Sequence, residues 1–178
     1  MKNFAIAAAV ICAAGTVASA DVTFNFTNLT FTGFQFQNVF PAGTLTGTLT
    51  GASIDAVLDA STNFTYADDL TVYVDAPPLT TGGAAQIGGF SNLSALERLF
   101  WANGANDLPG TTVIDTQILS TPIAIDTFDV QIGNGYGVSG TSGTWTGSIT
   151  LIGVNLVPAP GAIALVGLGG LVVGRRRR

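Results

Sequence analysis

An all-β fold is predicted: a single antiparallel β-sandwich of jelly-roll type with one short helix. Three observations lead there. Apolar and polar residues alternate with period two through most of residues 21–156, threonine fills many of the polar positions, and Pro, Gly and Asn clusters punctuate the runs. Val22, Phe24 and Phe26 alternate with Thr23, Asn25 and Thr27 to give the first strand. Its apolar parity shifts near Asn28 and again near Gly33, so that strand is bulged or turns into a hairpin. Leu45 and Leu49 then alternate with Thr44, Thr46, Thr48 and Thr50. Leu70, Val72 and Val74 alternate with Thr71 and Tyr73, and Phe128, Val130 and Ile132 with Asp129 and Gln131. Trp145, Ile149 and Leu151 alternate with Thr144, Thr146, Ser148 and Thr150. Each run has one apolar and one polar face, as antiparallel sheets wet on one side require.

Turns separate these runs at Pro41-Ala42-Gly43, Pro77-Pro78, Gly82-Gly83, Pro109-Gly110 and Gly133-Asn134-Gly135. The one helical pattern is Asn92–Ala102. Ser94 and Glu97 have capping-box spacing, Leu96, Leu99 and Phe100 share a side, and Gly104 can end the helix. No internal repeat or linker divides the segment. A domain of this size buries roughly two-thirds of its unfolded surface, enough for stability without staples.

The two ends differ in kind from this body. Lys2 precedes a short Ala-rich apolar stretch from Phe4 to Val17, and Ala18-Ser19-Ala20 places small residues where a signal peptidase reads them. Residues 1–20 are therefore expected to be a helical export signal cut between Ala20 and Asp21, being too short to span a bilayer as an anchor. Cys12 goes with it, and the remaining chain holds no cysteine. Residues 157–178 run Val157-Pro158-Ala159-Pro160, then a Gly-rich apolar segment, then Arg175-Arg176-Arg177-Arg178. The segment 161–174 spans about 21 Å as a helix against a hydrocarbon core of ~30 Å, which suits short-lived membrane residence. Four terminal arginines would stay on the cytoplasmic side. Gly170 and Gly174 stand at GxxxG spacing, a face another helix can approach closely.

This order of proline motif, short hydrophobic helix and arginine cluster resembles the PEP-CTERM sorting signal of exported bacterial proteins, a tail segment also labelled an ice-binding protein C-terminal domain. Ala159 stands where the eponymous motif has Glu. The resemblance implies recognition by an exosortase, a membrane enzyme that cuts near the proline motif, in bacteria that secrete exopolysaccharide. The body is more loosely similar to other exported proteins with this tail, through Asp69-Leu70-Thr71-Val72-Tyr73-Val74, Phe100-Trp101-Ala102-Asn103-Gly104 and Gly143-Thr144-Trp145-Thr146-Gly147. Three segments follow: a signal peptide over 1–20, a sandwich over 21–156 and a sorting signal over 157–178.

Charge and composition exclude several functions. All eleven acids lie between Asp21 and Asp129, where Arg98 is the single basic residue, so residues 21–156 carry a formal charge of −10. Such a body does not neutralise phosphates, which excludes nucleic acid as a partner. Without histidine there is no imidazole base and no His-ligated metal. The Gly133–Gly137 run lacks the lysine and helix of a phosphate loop. The Asn-x-Ser/Thr triplets at Asn25, Asn28, Asn63 and Asn92 are assigned no role, since the resemblance of the tail to a bacterial sorting signal argues against eukaryotic glycosylation.

Four candidate chemistries remain. A carboxylate-dependent hydrolase would need Glu97, the sole glutamate, facing an aspartate across a cleft. No cofactor is expected; calcium, which needs only oxygen ligands, is the alternative, and the clusters to inspect are Asp68, Asp69 and Asp75, Asp55 and Asp59, and Asn103, Asn106 and Asp107. None has EF-hand spacing, and solvated loop acids are the simpler account. Trp101, Trp145, Tyr66, Tyr73 and Tyr136 are the rings available to stack on a polysaccharide. Strand parity puts Trp145 in the core and Tyr73 outside, and Tyr136 belongs to an exposed turn. Thr44, Thr46, Thr48 and Thr50 form one hydroxyl row, less than the array an ice-binding surface needs. The leading expectation is a non-enzymatic exported protein of the cell surface or extracellular matrix, whose partners are signal peptidase, an exosortase, transiently the membrane, and polysaccharide. A carbohydrate-binding module is the alternative, to be recognised by exposed rings clustered on one sheet or at one loop end.

Overall fold

A computed structural model describes residues 20–76, 82–90 and 95–158. Nine strands follow in order: β1 Val22–Thr32, β2 Phe36–Phe40, β3 Leu45–Thr62, β4 Leu70–Asp75, β5 Ala85–Ile87, β6 Glu97–Leu99, β7 Thr112–Ala124, β8 Asp129–Asn134 and β9 Ser142–Leu156. They form two sheets, ordered β1-β9-β3-β7 and β2-β8-β4-β5-β6, that share one apolar core. Helical structure among the described residues is confined to two 3-10 turns, Ala67–Asp69 and Ile125–Thr127. No helix of the described residues is long and apolar enough to cross a membrane. The expected signal-peptide helix and the expected C-terminal helix lie outside the described residues.

Of the two parity shifts in the first strand, the one at Asn28 is the expected bulge, and the one at Gly33 is a crossing between sheets rather than a hairpin. Asn28 adopts a left-handed φ of 52°, and the pairing of β1 with β9 slips between Phe26 and Leu29. At Gly33 the chain leaves that sheet and enters the other one as β2. A second slip at Gly51 moves the inward positions of β3 from Leu45 and Leu49 to Ala52, Ile54, Ala56 and Leu58. Trp145 is fully buried, as its parity requires, and Phe31 packs beside it with ring centroids 6.3 Å apart.

Three expectations are corrected. The sheets are not wholly antiparallel, because β5 and β6 pair in parallel. The helix expected over Asn92–Ala102 is not formed in its described part, since Glu97–Leu99 is strand β6 and residues 91–94 lie outside the described residues. The Glu97 carboxylate, read as half of a capping box, instead accepts from the backbone N–H groups of Ser120 (2.6 Å) and Thr121 (3.2 Å) on β7. Those bonds to an edge strand, together with ladder pairing to β5, outcompete a local cap. Finally, β4 and β8 are buried on both faces rather than wet on one. Tyr73, expected outside, is fully buried, with its hydroxyl accepting from Gly83 N–H (2.8 Å) and the Phe36 ring 6.0 Å away.

Past β6, the chain straps the β7 edge. Ala102 N–H donates to Asp115 Oδ2 (2.7 Å). The Asn103 side chain both donates to Ile114 C=O (2.6 Å) and accepts from Ile114 N–H (2.9 Å), imitating a strand partner and blunting the edge. The strap then accepts from the Ala67–Asp69 turn, through Gly104 O to Asp68 N and Asn106 O to Ala67 N.

Gly143 lies where a Cβ would meet the six-membered ring of Trp145. That ring is walled in and has no room to retreat. Gly143→Ala is therefore expected to lower unfolding stability by about 1–3 kcal/mol in urea titration, the usual cost of overpacking. An unchanged midpoint would contradict this account of the core.

Candidate functional site

Four connections converge at one end of the sandwich: Asn63–Asp69 after β3, Gly88–Phe90 after β5, the strap after β6, and Gly135–Thr141 after β8. Between them lies a cavity of about 200 Å³ lined by Phe64, Tyr66, Asp69, Phe90 and Tyr136. A smaller recess of about 70 Å³ shares Tyr66, Asp69 and Phe90, and adds Asp68, Phe100 and Trp101.

The turn that forms the floor is held at nearly every main-chain group. Trp145 Nε1 donates to Ala67 O (3.1 Å) and Trp101 Nε1 to Leu70 O (2.7 Å), both indoles being buried. Gly89 N–H donates to Asp68 O (2.9 Å), Gly135 N–H to Asp69 O (2.8 Å), and the Thr71 hydroxyl to Asp69 O (2.9 Å). Such density is possible only because Gly88 and Gly89 approach so closely. A Cβ on Gly88 would strike Trp101 Nε1 and Leu70 O, and one on Gly89 would strike Thr71 Oγ1. Both also adopt positive φ, 85° and 74°, which glycine tolerates without strain.

The rings reach the cavity by different means. Asn63 and Phe64 take successive left-handed conformations, φ 53° and 61°, unusual for a bulky aromatic. Asn63 is held there by its side chain donating to Gly140 O (2.8 Å), and Ser61 donates to Thr65 O (2.7 Å). Phe64 is left 68% exposed and Phe90 75% exposed. Tyr136 is half-buried, its N–H capped by Asn134 Oδ1 (2.9 Å), and it meets Phe90 edge-on at 6.2 Å. Rings gathered around one concavity form a patch, unlike the single apolar residues scattered over any protein surface.

Asp69 is the polar centre. Its Oδ2 accepts from Tyr66 N–H (2.7 Å), and Phe90 N–H also donates to the carboxylate. Burial pushes its pKa up to about 7 and the neighbouring Asp68 charge adds to this, while the two N–H groups pull the other way. Asp68 is also raised, chiefly by burial. Arg98 lies outside the cavity lining, with its guanidinium 5.0 Å over the Phe100 ring and Nη2 donating to Phe90 O (3.3 Å).

The remaining candidates disperse. Asp75 sits at the far end of β4 from Asp68 and Asp69, opposite Asp129 on β8, so roughly 20 Å of strand separates it from the other two proposed calcium ligands. Among the described residues no three His, Cys, Asp or Glu side chains come together. Asp55 is exposed on the outer face of β3, Asp59 accepts the Thr146 hydroxyl (2.6 Å), and Asn106 Oδ1 caps Leu108 N–H (3.0 Å). Glu97 is engaged on β7, and hydrogen bonds from Ser120 and Thr121 outweigh its partial burial to hold its pKa below the usual value. Thr44 precedes β3 and donates to Pro41 O (2.6 Å), and Thr50 donates to Ile152 O (3.3 Å), which breaks up the row formed with Thr46 and Thr48. Sequence reasoning found Tyr66, Asp69 and Tyr136 but missed Phe64 and Phe90. The available signal was each phenylalanine directly following turn formers, Asn63 and Gly88-Gly89.

Residues 20–22 and 155–158, the first and last of the described sandwich, lie together at the opposite end. Asn155 Oδ1 accepts from Ala20 N–H (3.0 Å), Asp21 Oδ1 accepts from Gly153 N–H (3.0 Å), and Val157 N–H donates to Thr44 O (2.9 Å). The cavity adjoins the start of β9, and residues 20–22 adjoin its end, about 45 Å away at the usual strand rise. Ala18, Ala159, Pro160 and Arg175–Arg178 lie outside the described residues.

Asp69 gives this end a pH signature. The native state binds its proton more tightly than the unfolded chain, whose aspartate titrates near 3.8. That contribution to stability is present below pH 4 and is lost as pH rises towards 7. Unfolding titrations of Asp69→Asn against the parent should show a difference that shifts in the variant's favour between about pH 4 and 7.5, on the order of a few kcal/mol. A difference independent of pH would contradict the raised proton affinity. Comparison with protein-family models, with curated proteins and with solved structures returns no match for this chain.

Proposed function

We propose that this chain is an exported, non-catalytic protein of the cell surface or extracellular matrix that contacts polysaccharide through the aromatic end of a jelly-roll sandwich. The observation that carries this reading is the clustering of Phe64, Tyr66, Phe90 and Tyr136 around one cavity on fixed loops. Sugar rings present apolar C–H faces that stack on aromatic side chains, and hydroxyls that a carboxylate such as Asp69 accepts from. The strand order β1-β9-β3-β7 opposite β2-β8-β4-β5 fits two interleaved Greek keys, with β6 as an added edge.

Topology also supports the sorting-signal reading of the ends. Adjacent exit of residues 20–22 and 156–158 means that a tail held in or near the membrane would leave the aromatic cavity pointing away from it. In this reading signal peptidase cuts after Ala20, and an exosortase acts at Val157-Pro158-Ala159-Pro160 while the arginine tail holds the short helix in the membrane. Calcium has no supporting constellation among the described residues and is not part of the proposal.

Two measurements test it. Affinity electrophoresis of the exported protein in gels containing exopolysaccharide should show retardation that Phe64→Ala plus Phe90→Ala removes, since two stacking rings at about 0.5–1.5 kcal/mol each are worth roughly tenfold or more in affinity. Unretarded parent protein would sink the binding reading. Mass spectrometry of the mature C-terminus should show loss of Arg175–Arg178 only when an exosortase is present, and an intact tail in its presence would refute the sorting step.

A further inference from the structure

The lining of the cavity is more selective than sugar stacking requires. Phe64, Tyr66, Phe90 and Tyr136 surround a buried carboxylate, Asp69, that has no cation among the lining residues. Ring faces carry negative quadrupole charge and attract cations, most strongly where water is excluded. The surrounding body, residues 21–156, is strongly acidic, with Arg98 as its only cation. That guanidinium sits over the ring of Phe100, two residues along the same segment, one of the residues lining the neighbouring recess. An acidic sugar would be repelled by Asp68 and Asp69, and a neutral one would leave the Asp69 charge without a counter-ion.

We infer that the cavity receives an alkylammonium group, carried by an amine-bearing sugar of the polymer, with Asp69 as its counter-ion and the four rings as its walls. The inference rests on the carbohydrate reading of the same site and narrows it to cationic amino-sugars. A volume of about 200 Å³ accommodates one such group or a single aminopyranose ring. Burial and the Asp68 charge raise the proton affinity of Asp69, and an ammonium paired with the carboxylate would take the place of that proton.

Calorimetric titration of the exported protein at about pH 8, where Asp69 is ionised, tests this with three probes. They are oligosaccharides of N,N,N-trimethylglucosamine, N-acetylglucosamine oligosaccharides of equal length, and choline. The quaternised oligosaccharide should bind at least about tenfold more tightly than the acetylated one, the scale of a desolvated cation–π and counter-ion contact. Asp69→Asn should abolish that preference while residual binding of the neutral oligosaccharide persists. Phe90→Ala, at an exposed position with little bearing on folding, should weaken the cationic oligosaccharide about fivefold or more and serves as the second variant if Asp69→Asn unfolds. Equal binding of the two oligosaccharides, or tighter binding of the acetylated one, overturns the inference and leaves the carbohydrate reading standing. Binding of choline with neither oligosaccharide overturns the sugar as carrier, and binding of no probe overturns the inference, with the carbohydrate reading then decided by retardation in exopolysaccharide gels.

Discussion

Two buried indole N–H groups fix the aromatic end of this molecule. Trp145, from a core strand, donates to Ala67 O, and Trp101, from the strap beyond β6, donates to Leu70 O. A buried carbonyl left unpaired costs roughly 1–3 kcal/mol, so these donors pin the one turn that carries Asp68 and Asp69 to both the apolar core and the strap. The glycine pair at 88 and 89 then closes over the turn because nothing larger fits beside Trp101 and Thr71.

With the floor immobile, the exposed rings have a fixed frame to project from. The consecutive left-handed residues Asn63 and Phe64 hold strain that the chain tolerates because Asn63 and Ser61 anchor the surrounding backbone by hydrogen bonds. A carboxylate buried at the same place, with no cation among the residues that line its cavity, is a second local cost. Both costs fall at one site. In the proposed function, the stability of the core offsets them and holds the sugar-contacting surface in a single conformation.

The other end of the sandwich is built differently. There the first and last strands run side by side, and side-chain oxygens of Asp21 and Asn155 tie residues 20–22 to the end of β9. The long central pairing of β9 with β3 sets residues 20–22 and 156–158 and the aromatic cavity at opposite ends of the sandwich, the separation that the proposed attachment and contact require. Strap and edge contribute to the same rigidity. Asn103 and Glu97 occupy main-chain groups of β7, which keeps an acidic sandwich from pairing that edge with a neighbour.

Much of this architecture was legible in the residues. Period-two alternation located β1, β4, β8, β9 and the first part of β3 but not β7, and the parity slip at Asn28 marked a bulge, because side-chain alternation reports directly which face a residue occupies. The slip at Gly33 did not show that the chain crosses to the other sheet there. The same rule failed at Tyr73 and over Asn92–Ala102. Tyr73 obeys its parity, but the face it points to is covered by the segment at Gly83, and coverage is a property of distant chain. Glu97 has cap spacing, but its carboxylate found Ser120 on β7, 23 residues away. The site shows the same divide. Sequence alone determined the histidine-free, acidic composition of the body, much of the strand pattern, and the distinct character of the two ends. Only the tertiary structure decided that Phe64, Tyr66, Asp69, Phe90 and Tyr136 share a cavity and that Asp75 does not join them, because loops far apart in the chain are brought together by strand order, which local periodicity does not encode.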